Sequence, residues 1–224
     1  MEKPKVEYID WGRISYKEAW DLQTELQQEI IQEKRSGGLP TSKLIVCEHN
    51  PVFTLGKSGK QDHLLFDPTT NSKFEFFKIN RGGDITYHGP GQLTVYPIFD
   101  LEQFKTDVHW YVRSLEEVVI NTLSSLGLSA KRMEGFTGVW LQDNNSPIQR
   151  KICAIGVHLS RWVSMHGLAL NVSTDLNHFD LIVPCGIQEE NKTVTSISKE
   201  LKTDVDMETV KSTLHNSFKE VFEF

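Results

Sequence analysis

Apolar positions recur along the chain in two rhythms. The strongest helical rhythm lies at 108–126, where Val108, Tyr111, Val112, Leu115, Val118, Val119, Leu123 and Leu126 fall at three- and four-residue steps. Asp107 is placed to cap its start and Gly127 its end. A second helix is predicted at about 207–221, with Met207, Val210, Leu214, Phe218 and Val221 on one face. A third begins after Ser15, which forms an S-x-x-E capping box with Glu18, and carries Tyr16, Ala19, Trp20 and Leu22 before Gly37, Gly38 and Pro40 stop it. The remaining apolar runs are short and read as strands: "KVEYID", "KLIVCEH", "FEFFKI", "LTVYPIFDL" and "SMHGLALNVS". "FTGVWLQ" and "RKICAIGVHLS", joined by "DNNSP", read as a hairpin. Pro97 marks its strand as an edge strand or one that ends early. Few helices and many strands arranged in hairpins predict an α+β fold with a mixed, largely antiparallel sheet flanked by helices. No internal repeat, low-complexity tract or long linker divides the chain, so one domain over residues 1–224 is expected.

Composition narrows the classes. A hydrophobic content of 38% supports a sizeable core. The net charge of -6 argues against a dedicated nucleic-acid binder, which carries a basic footprint. No apolar run is long enough to span a membrane. "MEKPKVEYID" is acidic and lacks the apolar stretch of a signal peptide, which predicts a cytoplasmic protein. The three cysteines, Cys47, Cys153 and Cys185, are widely spaced and include no C-x-x-C. Neither a disulfide framework nor a metal site is expected.

Two stretches carry candidate chemistry. "RGGDITYHGPGQ", Arg81 to Gln92, is neither a Walker loop, lacking Lys-Ser/Thr, nor a G-x-G-x-x-G fingerprint. It reads equally as a turn between strands 74–80 and 93–99 or as backbone brought close to a ligand, with Arg81, Thr86, Tyr87, His88 and Gln92 supplying polar contacts. In "LIVPCGI", Cys185 stands between Pro184 and Gly186 and reads equally as a small apolar residue closing a strand or as a nucleophile on a turn from which its sulfur would project. Cys47 and Cys153 lie within apolar runs and read as core residues. A thiol needs a nearby cation to be thiolate at neutral pH. Lys151, opening "ICAIGVHL", is one candidate, although a lysine at a strand end is usually solvated. His166 reads as a packed, hydrogen-bonded histidine, and Gly167-Leu168 as a point of close approach by a backbone or an alkyl ligand.

Taken together and in this order, "RGGDITYHGPGQLTVYPI", "RKICAIGVHLSRWVSMHGLALNV" and "LIVPCGI" resemble the lipoyl(octanoyl) transferases, with "EHNPVFTLGKSG" similar to a fourth family segment. The resemblance runs from about residue 5 to residue 200. It implies a fold similar to the catalytic core of biotin and lipoate protein ligases. It also implies transfer of an octanoyl or lipoyl group from acyl carrier protein to a lysine of lipoyl domains, the first step of endogenous protein lipoylation. Acceptors of that family are lipoyl domains of 2-oxoacid dehydrogenase complexes and the glycine cleavage protein. No cofactor is implied, because a thioester carries its own activation. Matched by motif, Cys185 is implied as the acyl-thioester nucleophile and Lys151 as the residue that lowers its pKa. Arg81, Gly82, Gly83, Asp84, Ile85, Thr86, Tyr87 and His88 match the substrate-binding segment, as do Ala154, Ile155 and Gly156, and Gly167, Leu168 and Ala169. Asn50 and Lys57 stand where the family often has Pro and Arg. Lys57, Lys60, Arg150 and Arg161 are the basic residues expected to form a local cluster for an acidic carrier.

Overall fold

The computed structural model describes residues 3–67, 73–143, 145–183 and 191–224. In chain order these form β1 (Val6–Ile14), α1 (Tyr16–Arg35), β2 (Ser42–His49), β3 (Val52–Leu55), β4 (Glu75–Lys78), β5 (Ile85–His88), β6 (Gln92–Ile98), α2 (Val108–Ser125), β7 (Lys131–Met133), β8 (Phe136–Leu141), β9 (Gln149–Ser160), β10 (Val163–Asn171), β11 (Lys192–Val194), α3 (Ile197–Leu201) and α4 (Met207–Phe222). The large sheet runs β1-β2-β6-β10-β9-β8-β7, with β11 added beside β9. Among the described residues, only β1–β2 and β11–β9 are parallel within it. A small sheet has the order β4-β3-β5. The fold is therefore α+β with a mixed, mainly antiparallel sheet, as the hairpin pattern predicts.

The alternation of side chains on β2 and β6 sets the layers. Leu44, Val46, Leu93 and Val95 face α2 and α4, joining Tyr111, Leu115, Val118, Leu214 and Phe218 in the main core. Ile45, Cys47, Tyr96 and Ile98 face the other way, against Ala19, Ile30 and Ile31 of α1. A strand buried on both faces reads as a continuous apolar run, which is why "LIVC" shows no period of two. Ser15 caps α1 by accepting from the Glu18 N–H at 3.3 Å, and Asp107 caps α2 by accepting from the Trp110 N–H at 3.0 Å.

Three expectations change. First, β6 is interior, between β2 and β10, despite Pro97. Its ladder to β10 ends at the pair Leu168–Val95, before the missing N–H would be needed. Beyond that point β10 is kinked at His166, φ +61°. Side chains satisfy the groups released there: Pro97 O accepts from the Ser164 and Tyr111 hydroxyls at 2.7 and 3.2 Å. The His166 N–H donates to Gln23 Oε1 at 3.0 Å. Second, "RGGDITYHGPGQ" does not turn between strands 74–80 and 93–99, because β4 and β6 belong to different sheets. It contains β5, whose partner is β3, a four-residue strand hidden in the Gly- and Pro-flanked "NPVFTLG". The tight turn is Gly89-Pro90-Gly91, where Gly91 has φ +77° and donates its N–H to Glu48 Oε2 at 2.6 Å. Third, Arg150 and Arg161 lie at opposite ends of β9, roughly 35 Å apart at strand rise. Arg150 is also bonded to Asp143 and Glu200. The four basic residues form no single cluster.

Candidate active site

The site begins where β8 leaves β9. These strands pair from Val139 to Leu141, while the preceding residues 136–138 of β8 have no partner on β9 and β7 runs along the other edge of β8. The edge of β9 beyond that point is taken by the glycine loop, whose Gly82 N–H donates to Val157 O at 2.9 Å. Gly156 permits this approach, since a Cβ there would lie 2.7 Å from Gly82 O. On its other side the loop is tied to residues 56–58: Lys57 N–H donates to Arg81 O at 3.0 Å and Ser58 N–H to Gly83 O at 3.2 Å. The segment "EHNPVFTLGKSG" therefore buttresses the wall built by "RGGD".

A cavity of ≈ 460 Å³ opens between this loop, β6, β9 and β10. Residues 81–86, His88, Lys151, 154–156 and 167–169 all line it. Segments far apart in sequence thus converge on one space. Tyr87 is not among them. Its ring packs against Phe53, Phe74, His178 and Phe179 beneath the small sheet, because successive β5 side chains point to opposite faces. Cys185 lies outside the described residues. Cys47 and Cys153 are fully buried, and burial pushes both thiols up.

Lys151 is not a solvated strand end. It is the third residue of β9, half-buried, and its Nζ lies 5.1 Å from the centre of the fully buried Trp140 ring. This is cation–π distance. Val194 of β11 pairs beside it and also lines the cavity. The described residues on either side of 184–190 are both fastened near the cavity. Val183 donates its N–H to His63 O, and Asn191 O accepts from Gln149, two residues before Lys151. The His63 ring in turn bonds to Asp84 at 2.5 Å.

The opposite wall is a chain of polar groups. The Arg81 guanidinium donates to Thr54 O at 2.7 Å, to Thr54 Oγ1 at 3.0 Å and to Gly82 O at 3.0 Å. Gln92 Nε2 donates to Tyr87 O and to Asn171 Oδ1, so its Oε1 must accept from His88 Nδ1 at 2.8 Å. His88 Nε2 is then the acceptor of a long, 3.5 Å contact from Thr54 Oγ1. Burial first, then the neighbouring His49 ring and the Arg81 charge, hold His88 well below the ordinary histidine range. Deeper in, His49 Nδ1 donates to Ile14 O at 3.0 Å, leaving Nε2 to accept the Tyr96 hydroxyl at 2.6 Å. Burial lowers His49 to about 4 and His166 to about 3. His166 donates Nε2–H to Asn80 Oδ1 at 2.9 Å, as expected of a packed histidine.

Tyr16, Thr94, Tyr96, Phe136 and Asn171 also line the cavity and were not singled out from sequence. One signal was available: in "QLTVY" the polar side chains Gln92, Thr94 and Tyr96 alternate with Leu93 and Val95, marking a polar face on a strand that is buried throughout.

Structural neighbours set the class. A crystal structure of lipoate-protein ligase A bound with ATP superposes with a TM-score of 0.70 at 18% identity, covering 99% of this chain and 86% of that one. The biotin protein ligase of Aquifex aeolicus superposes with a TM-score of 0.52 at 12% identity, covering 99% and 70%. The fold is that of the catalytic cores of lipoate and biotin protein ligases. Within that class, the chain belongs to the lipoyl protein ligase A/B catalytic domain family, which matches residues 15–219. It is similar to the octanoyltransferase of Cytophaga hutchinsonii, 50% identical, covering 96% of this chain and 91% of the relative. It is likewise similar to the octanoyltransferase of Parabacteroides distasonis, 48% identical, covering 96% and 97%.

Proposed function

We infer that this chain is an acyltransferase of protein lipoylation, moving an octanoyl group through a thioester on Cys185. The observation that carries this is the convergence of the glycine loop, residues 154–156 and 167–169, and Lys151 on one cavity. Octanoyl-acyl carrier protein is the donor. Lipoyl domains of 2-oxoacid dehydrogenase complexes and the glycine cleavage protein are the acceptors. We place the reaction in the cytoplasm and assign it to one catalytic domain over residues 1–224.

The Lys151 ammonium stabilises the Cys185 thiolate, which attacks the thioester carbonyl. As the tetrahedral intermediate collapses, the carrier thiolate leaves and takes a proton from Lys151. The acyl group is now on Cys185 and Lys151 is a neutral amine. The target lysine, as its amine, attacks the new thioester; Lys151 takes the proton from the attacking nitrogen, and the amide leaves Cys185 as thiolate. The depressed basicity of His88, and the commitment of its Nδ1–H to Gln92 Oε1, favour Lys151 over His88 as the proton acceptor. The N–H groups of Gly82 and Ile85 are engaged with Val157 O and Asp84 Oδ1, so neither is a donor to the oxyanion. Gly156, Leu168 and Ala169 flank the space for the alkyl chain, whose burial contributes roughly 0.8 kcal/mol per methylene.

Intact-protein mass spectrometry tests this. Mixing with octanoyl carrier protein should add one octanoyl mass, mapped to Cys185, and an apo lipoyl domain should discharge it. Cys185→Ser should carry no adduct and show no transfer. Wild-type turnover by that variant would remove the covalent mechanism. Turnover of free octanoate that requires ATP would mark a ligase instead.

A further inference from the structure

Lys151 lies across β8 at the one residue where that strand has no side chain. Gly138 is buried and has φ +118°. A Cβ on Gly138 would lie 2.5 Å from Cys153 O and 2.8 Å from Lys151 Cε. The register of β8 against β9 shifts between the next two residues, Val139 and Trp140. The Gly138 N–H donates to Glu116 Oε1 at 3.0 Å. Glu116 comes from α2, on the main-core face of the sheet, and its side chain has no exposure at all. Its other oxygen accepts from Arg113 at 2.6 Å and Arg132 at 3.1 Å. A buried carboxylate is costly to keep unless every lone pair is used. Here part of its bonding capacity holds the backbone of a single glycine. Two residues beyond Gly138, Trp140 presents the ring face over which the Lys151 ammonium lies.

We propose that Gly138 is a positioning residue for Lys151. Its missing side chain opens the path along which the Lys151 stem reaches the cavity, Glu116 fixes the bulge that keeps this path open, and Trp140 supplies the face on which the ammonium rests. The proposal depends on the role given to Lys151 above. It adds a residue that is not among those lining the cavity.

The test is Gly138→Ala in the full chain, with Lys151→Ala assayed beside it. Cys185 reactivity is read as the pH dependence of iodoacetamide alkylation, with the site assigned by mass spectrometry. Folding is followed by thermal melting. Gly138→Ala should lower kcat by on the order of tenfold to a hundredfold. KM for octanoyl carrier protein should stay within about twofold, and the alkylation midpoint of Cys185 should move to higher pH. A wild-type midpoint and kcat in Gly138→Ala, while Lys151→Ala loses both, would overturn the positioning role and leave the function intact. A lower kcat without the midpoint shift would mark a merely structural defect and would also overturn it. Wild-type behaviour of Lys151→Ala would instead remove the role of Lys151 itself. If Gly138→Ala does not fold, Trp140→Phe and Trp140→Leu probe the same seat. Phe should recover at least roughly a third of wild-type kcat, while Leu should fall about tenfold with the midpoint shift. Equal behaviour of the two would overturn the proposal.

Discussion

On one wall of the cavity, Arg81, Thr54, His88, Gln92 and Asn171 follow one another in a linear chain of polar contacts. On the other wall, the Lys151 ammonium lies against the ring of Trp140. Both walls are built from buried or half-buried polar groups, but they treat protons differently. Along the first, each histidine nitrogen that bonds is committed to a fixed partner, and burial keeps the imidazoles neutral. Along the second, an aromatic face attracts a cation. Under the proposed mechanism, the histidine wall aligns the substrate and the lysine wall handles protons. A histidine in a pocket is often taken for the base, but burial lowers the proton affinity of His88, which is why the proposal gives that role to Lys151.

The largest expected effect is on the lysine wall. Lys151→Ala should reduce octanoyl transfer by about 10³-fold, measured by appearance of octanoylated lipoyl domain. Retained transfer would erase the distinction between the walls. His88→Gln should cost less than about tenfold in kcat, because Gln keeps hydrogen-bonding capacity and the proposed mechanism moves no proton there. A loss as large as that of Lys151→Ala would put the base on the histidine wall.

A third expectation concerns stability. His49 is held at about 4 in the folded chain, while an unfolded histidine titrates near its ordinary value of roughly 6.5. Between these values the unfolded state binds a proton that the folded state does not. Stability should therefore fall as pH drops through that window, by roughly 1.4 kcal/mol per pH unit for each such histidine. Urea unfolding at pH 7, 6 and 5 should show a shallower decline for His49→Gln than for the parent chain. Identical slopes would mean that His49 is not kept neutral by burial. The smallest effect is expected from Tyr87→Phe, since that ring lies outside the cavity. Turnover should be unchanged, and stability should change by less than about 1.5 kcal/mol. A marked rise in KM would bring Tyr87 back into the site.

Much of this architecture was legible in the residues. The stripe at 108–126, with Asp107 before it, became α2 to within one residue. The "DNNSP" hairpin became β8 and β9. These elements declare themselves because period and caps are local properties. β3 escaped notice because four residues between Pro51 and Gly56 carry too little period to register. Pro97 misled because its cost depends on the neighbouring strand, and β10 has left the ladder by that point. The basic cluster failed because Arg150 and Arg161 are separated by a whole strand. Sequence likewise could not rank Lys151 above an ordinary solvated lysine. The ring beneath it belongs to another strand, and the gap it crosses is a glycine on that strand.

By itself, the sequence determined the chemical inventory: which segments are helix or strand, which cysteines sit in apolar runs, and the glycine, lysine and histidine motifs that carry the family resemblance. Side-chain type and spacing suffice for these, because local periodicity and turn chemistry dictate them. Only the tertiary structure decided that 81–86, Lys151, 154–156 and 167–169 share one cavity while Tyr87 faces away from it. Only it decided that His88 is neutral and Lys151 rests on an aromatic ring. Proton affinity and proximity depend on burial and on partners far along the chain, and those exist only once the strands have paired.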